Sequence, residues 1–304
     1  MMSAKQDTSN TMMCCASCGK AEGDDTQLKK CDGCDLVKYC NDTCHENHQP
    51  EHEEVCKKRA AELRDEVLFR QPESNYLGDC PICLLPLPII PGKSVYHACC
   101  CKSVCKGCIV ANAFHSREQR LEVTCPFCRD TIETSDPSQH LMKRVQANDP
   151  IALRHMGTRR YDEGKYVEAF DYYIRAAKLG DARAHFRLSL MYRDGQGVEK
   201  DEKKQVYHAE EASIGGHPDA RFNLARYETH NKDRKDRALK HLIICANFGH
   251  NESIKMLRVF YKDGLVSKDD FASALRAHKA AVDETKSPER DVAEEIEERS
   301  RVNG

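Results

Sequence analysis

Seventeen of the chain's 18 cysteines fall between Cys14 and Cys128, leaving only Cys245 beyond them. Most come as C-x-x-C pairs: CASC, CDGC, CPIC, CKGC and CPFC. Two intervening residues make a tight turn that aims both sulfurs at one tetrahedral ion. Repeated pairs with an interspersed histidine therefore point to zinc. The stretch CNDTCHENHQPEHEEVC, residues 40–56, adds Cys40, Cys44, His52 and Cys56 to the pairs Cys15/Cys18 and Cys31/Cys34. That makes eight ligands, enough for two four-coordinate ions. His52 and Cys56 stand four apart, on one face of a helical turn. Pro50 is expected to start that helix, and His45 and His48, outside the pattern, to be solvated. A second cluster holds Cys80/Cys83, Cys105/Cys108 and Cys125/Cys128, with Cys99, Cys100 and Cys101 competing for two further places.

Such chemistry is structural. Four protein ligands leave a zinc ion no open position for water, which argues against hydrolysis there. Modules this short cannot fold on apolar burial alone, so the metal must supply most of their folding free energy. No Ser-His-Asp set, Cys-His nucleophile, phosphate loop or paired-carboxylate site stands out. The net charge of −2 over 304 residues gives no push toward nucleic acid or an anionic membrane. No apolar run approaches the ~20 residues that span a bilayer. The opening MMSAKQDTSNTMM lacks the basic and apolar regions of a secretory signal. The expected location is the cytosol or nucleus, where thiols stay reduced.

The first cluster, C-x2-C…C-x2-C-x5-C-x3-C-x7-H-x3-C over residues 15–56, resembles the MYND-type zinc finger. That family interleaves its pairs. The resemblance implies Cys15, Cys18, Cys40 and Cys44 on one ion, and Cys31, Cys34, His52 and Cys56 on the other. The second cluster, residues 80–129, resembles a RING finger of the all-cysteine kind. Cross-bracing then implies Cys80, Cys83, Cys105 and Cys108 on one zinc, and Cys125 and Cys128 with two of the triplet on the other. Cys99 with Cys101 best fits the family's gap; Cys100 and, more weakly, His97 are alternatives. Four zinc ions are expected in all. The RING resemblance further implies a ubiquitin-protein ligase that orients a ubiquitin-charged conjugating enzyme, with no covalent intermediate. Ile82 and Pro126 would supply apolar groove surface, and Arg129 the bridging cation. The chain has no tryptophan for that groove, so Phe114 or Val110 would cover the surface. The alternative is a zinc-stapled, non-catalytic adaptor.

These modules need elements to carry them. Val55, Ala60, Leu63, Val67 and Leu68 recur at helical spacing, and Pro72 and Gly78 break the pattern beyond them. The second half repeats itself: AAKLGDARAHFRLSLMY, ASIGGHPDARFNLARY and CANFGHNESIKMLRVFY align on Gly180, Gly216 and Gly249, with an earlier copy from DPIALRHMG. Small residues recur seven apart, Ala169/Ala176 and Ala238/Cys245. Tyr161, Tyr172, Tyr173, Phe186, Leu188, Tyr192, Phe222, Leu224 and Tyr227 are expected to pack between helices. These units resemble Sel-one-like repeats, relatives of the tetratricopeptide family, which stack antiparallel helix pairs and bind peptides.

The expected fold is mainly α: two small cross-braced zinc modules followed by an α-solenoid of helix-pair repeats. The divisions are a disordered N-terminus (1–13), MYND finger (14–56), helical linker (57–79), RING finger (80–130), connecting helix (131–148), repeats (149–282) and a charged tail (283–304) that frays. The combination resembles expanded families in unicellular algae. Expected partners are a conjugating enzyme and protein or peptide clients, with no membrane and no nucleic acid.

Overall fold

The computed structural model describes residues 14–23, 26–131, 137–230 and 234–302. The N-terminal stretch 1–13 lies outside them. The chain forms two compact units, one ending at Arg70 and one beginning at Gln71.

In the first unit β1 (Lys29–Lys30) pairs antiparallel with β2 (Lys38–Tyr39), and a single helix, α1 (Asp42–Leu68), comes next. Asn41 sets its start, its side chain accepting the Cys44 N–H at 2.8 Å. The helix therefore begins eight residues before Pro50 and runs through it, giving up one backbone hydrogen bond. The expected linker helix is the continuation of α1. Arg59 reaches back from it to grip Asp35 at 2.8 and 3.0 Å, so residues beyond 56 still belong to the finger.

The second unit opens with the hairpin β3 (Ser94–His97) and β4 (Lys102–Cys105), whose register pairs Val95 with Val104. Then come α2 (Lys106–Glu118) and α3 (Pro137–Gln146). The repeats pair α4 (Pro150–Asp162) with α5 (Tyr166–Lys178), α6 (Ala182–Asp194) with α7 (Glu202–Ile214), and α8 (Pro218–Thr229) with α9 (Lys235–Ala246). After them come α10 (Asn251–Lys262), α11 (Lys268–Glu284) and α12 (Pro288–Val302).

One junction recurs along the solenoid and explains the sequence repeat. Gly180, Gly216 and Gly249 have φ between 78° and 85°, the left-handed conformation that ends a helix. Each next residue donates its N–H to a carbonyl five positions back: Asp181 to Ala176, His217 to Ala212, His250 to Cys245. The same residue caps the next helix with its side chain, accepting from Ala184, Ala220 or Ser253. The core then receives a small residue three places on and a large one seven on. These are Ala184/Leu188, Ala220/Leu224 and Ser253/Leu257, all buried. Asn148, at φ 54°, and Asp149 make the same junction before Ala152 and Met156. The connecting helix α3 is thus the leading element of the solenoid, and its Leu141 and Val145 enter the core beside Ala152 and Leu153. Ala169, Ala176, Ala238 and Cys245 are fully buried, as their spacing requires. Tyr227 departs from expectation: it is half-exposed and hydrogen-bonds Glu202 at 2.9 Å.

The charged tail does not fray. α12 lies on the second metal-binding module. Arg290 is buried and donates to the carbonyls of Pro86 and Thr285 at 2.8 and 2.7 Å, and to Cys83 Sγ at 3.4 Å. Lys93 pairs with Glu294 at 2.7 Å and Lys106 with Glu297. Gly107 has no side chain because a Cβ there would stand 2.7 Å from Arg290 N. The charges are sorted by face: Ala293 is buried at the contact, and the acids of that turn meet lysines. The tail, the second module and the repeats therefore form one unit, where three separate ones were expected.

Gly180→Ala should cost about 1 kcal/mol in denaturant unfolding, because nothing lies within 4 Å of the new Cβ and only the backbone conformation is penalised. The buried histidines of the repeats make stability depend on pH. Burial pushes His217 down to about 3 and His241 to about 2, from 6.5. The unfolded chain then takes up protons that the folded chain refuses, so stability falls as pH drops from 6.5 toward 3. Ring-proton NMR should find both imidazoles neutral at about pH 5, well below the pKa near 6.5 of an unperturbed histidine.

Candidate metal centres

Four tetrads converge, each with its ligand atoms within 4.8 Å of one another: Cys15/Cys18/Cys40/Cys44, Cys31/Cys34/His52/Cys56, Cys80/Cys83/Cys105/Cys108 and Cys99/Cys100/Cys125/Cys128. In each, ligands from two separated segments meet, so a single ion ties two loops. No cysteine is in a disulfide. Sulfur pairs stand at 3.7 Å for Cys18 and Cys40, 3.9 Å for Cys80 and Cys108, and 3.4 Å for Cys99 and Cys128. A tetrahedron with Zn–S bonds near 2.3 Å has edges of about 3.8 Å. The donor sets thus fit zinc in number, type and spacing.

Their electrostatics make the same demand. Sulfurs this close cannot all carry charge unaided. The Cys105 thiol's hydrogen bond draws Cys80 down to about 4, while burial pushes Cys108 up to about 12. In the finger, hydrogen bonding with Cys44 drives Cys40 up to about 12, and burial does the same to Cys56. A divalent cation lifts this conflict by neutralising several thiolates at once. Backbone dipoles help: Cys105 caps α2, its sulfur accepting the Cys108 N–H at 3.5 Å, and Cys105 N–H points at Cys80 Sγ, also at 3.5 Å.

The triplet resolves differently from the expected gap. Cys99 and Cys100 are the pair, and Cys101 is excluded. The hairpin turn explains why. Cys101 sits at φ 54°, which swings its side chain away to Tyr96 Oη at 3.0 Å and into the repeat core. His97 also stays outside, and burial lowers its pKa.

His45 and His48 are not simply solvated. Both rings pack on Tyr39, at 4.9 and 5.8 Å between centroids. His48 Nδ1 hydrogen-bonds Tyr39 Oη at 2.9 Å, and its ring stacks on His52 at 5.5 Å. Burial holds His52 below its ordinary pKa, which favours the neutral, ligating imidazole. Sequence reasoning misses this support because it pairs residues nine apart across a strand and a helix; the i, i+4 spacing of His48 and His52 is its one available signal.

Around the second module, Ile82 is exposed at 42% and Phe114 at 46%. Pro126 is buried and offers no groove surface. Arg129 is exposed, at φ 63°, and donates to Asn112 Oδ1 at 3.1 Å. Asn112 in turn donates to the Thr124 carbonyl at 3.0 Å, so α2 holds Arg129 in place. Val110 is half-buried.

Compared with known families, residues 15–56 match the MYND finger and residues 150–181 and 182–217 match the Sel1 repeat. No curated protein matches the chain. Among solved structures, a Sel1 repeat protein from Oxalobacter formigenes is 25% identical with a TM-score of 0.41, over 49% of this chain and 64% of that one. A protective antigen of uropathogenic Escherichia coli strains, displaying an SLR fold, is 25% identical with a TM-score of 0.40, over 49% of this chain and 33% of that one. The chain spans under two thirds of either. The protein thus carries a MYND zinc finger and Sel1 repeats, modules that generally mediate protein–protein contacts. Among the described residues no helix is long and apolar enough to cross a membrane.

Elemental analysis should return four zinc ions per chain, one for each tetrad. Cys101→Ser should keep all four, whereas Cys100→Ser should lose one and unfold more readily. Chelation should lower the melting temperature sharply, since structural zinc carries the folding free energy of such modules.

Proposed function

We propose that the protein is a RING-type ubiquitin-protein ligase whose finger and repeats recruit protein clients. The supporting observation is the arrangement of residues 80–129. Two interleaved tetrads hold loops that expose apolar Ile82 and Phe127, α2 exposes Phe114, and a cation stands just after the last cysteine. Such a surface suits docking of a charged conjugating enzyme. The ligase then acts by fixing the reactive thioester in position, an effect of proximity with no covalent chemistry of its own. Arg129 is the positioning residue in this reading. Its planar donors would bridge conjugating enzyme and ubiquitin, and Asn112 limits its freedom beforehand. Ile82 would seat the conjugating enzyme. The metal ions of this module would hold the loops and take no part in transfer.

A second reading, a zinc-stapled adaptor without ligase activity, is favoured by the burial of Pro126. In both readings the protein acts inside the cytosol or nucleus on protein partners.

Purified, zinc-loaded protein with activating enzyme, ubiquitin and a panel of conjugating enzymes separates the two. The ligase reading expects ubiquitin chains on the protein and discharge of the charged conjugating enzyme. Ile82→Ala and Arg129→Ala should slow discharge by roughly tenfold or more, about 1.4 kcal/mol of lost positioning, and Arg129→Lys should restore part of it. Melting temperature and zinc content should not move. Silence across the panel selects the adaptor.

A further inference from the structure

A cavity of about 350 Å³ opens within the second unit, between the chain preceding β3 and the repeats. One wall is Tyr76 and Ile89; the other brings Arg154, Arg183, Arg187 and Phe186 from α4 and α6. Its size falls in the range of ligand pockets.

The charges of this cavity are out of balance. Arg154 is buried and answered by Asp181 at 3.1 Å. Arg183 has no such answer. Among the described residues its guanidinium makes no ion pair; it lies over the face of Tyr76, 5.5 Å from the centroid, and Asp181 offsets its charge only from beyond ion-pair distance. Burial lowers its pKa, and Arg154 lowers it further. Arg187, which also weighs against it, has no ion pair among the described residues either. Asp181 is engaged by Arg154, and Asp219, which faces His250 at 3.3 Å, acts on Arg183 without forming an ion pair with it. Burial keeps both histidines of the lining neutral: His217 stacks on Tyr76 at 4.2 Å and His155 on Tyr96 at 3.5 Å. A desolvated cation without a partner is destabilising, so this arrangement is costly in the free protein.

We propose that the cavity binds an acidic peptide segment, with a carboxylate held by Arg183 and Arg187 and an adjacent apolar side chain against Tyr76, Ile89 and Phe186. A guanidinium pair matches a carboxylate in planar, bidentate geometry. The apolar wall of Tyr76, Ile89 and Phe186 has no use for inorganic phosphate. The inference rests on reading the repeats as a protein-binding element and is independent of ligase activity: the measurement contains no conjugating enzyme, so silence in the ubiquitin assay leaves it standing.

The probe is a fluorescein-labelled decapeptide of alternating Glu and Leu, titrated with full-length zinc-loaded protein and followed by anisotropy. Wild type should bind it, and the Gln/Leu counterpart should bind about tenfold more weakly or worse. The double variant Arg183→Gln/Arg187→Gln should lose about the same factor, while exposed Arg258→Gln should not. The double variant should also melt at an equal or higher temperature, because two unanswered cations are gone; a general structural role would lower it. Failure of wild type to bind, equal binding of the Gln/Leu peptide, or unaltered binding by the double variant overturns the proposal. So does displacement of the peptide by inorganic phosphate beyond that by chloride of equal ionic strength.

Discussion

Closure of distant segments around shared cations is the constraint on which the N-terminal half depends. Neither β1–β2 nor β3–β4 is long enough to be stable alone. What fixes them is that Cys15 must meet Cys40 and Cys80 must meet Cys105, across 25 residues each. A metal tetrad is directional, so it sets loop geometry more tightly than an apolar cluster would. The surrounding hydrogen bonds then tune its charge. Cys105 illustrates how one residue serves several ends: it is a ligand, the cap of α2 and a backbone donor to another ligand.

The solenoid is built on the opposite principle. Its order comes from short-range rules repeated in register: a left-handed residue, a capping side chain, a small residue and a large one. Because each rule acts within about ten residues, stability accumulates by neighbouring contacts. The two regimes meet at Cys101 and Tyr96. There the hairpin of the metal module contributes to the core of the repeats, and Tyr96 stacks on His155 at 3.5 Å.

This division also governs what the amino-acid order alone can reveal. The fold class, three zinc tetrads with the outer pair of the fourth, and the repeat glycines are legible because metal spacing and helix-junction chemistry are local. The choice among Cys99, Cys100 and Cys101 is not, since it turns on one residue's φ in a hairpin turn. The start of α1 is easily misplaced because Pro50 is a conspicuous signal, whereas Asn41 shows itself as the cap only where its side chain meets the Cys44 N–H. The tail misleads by its composition: a run dense in Glu and Arg reads as solvated until Lys93 and Lys106, about two hundred residues earlier in the chain, are placed beneath it. Long-range electrostatic complementarity leaves no trace in local periodicity. The arginine cavity belongs to the same class, gathering residues from Tyr76 to Asp219.

Arg290 and Cys83 lie 207 positions apart. During synthesis the cysteine loop emerges and can close long before the guanidinium that donates to its sulfur exists. Segments fold as they leave the ribosome, N-terminal first, so the whole solenoid is translated between the cysteine loop and the arginine that donates to it. α12 can therefore seat Arg290 against the cysteine loop only after the solenoid between them has been made.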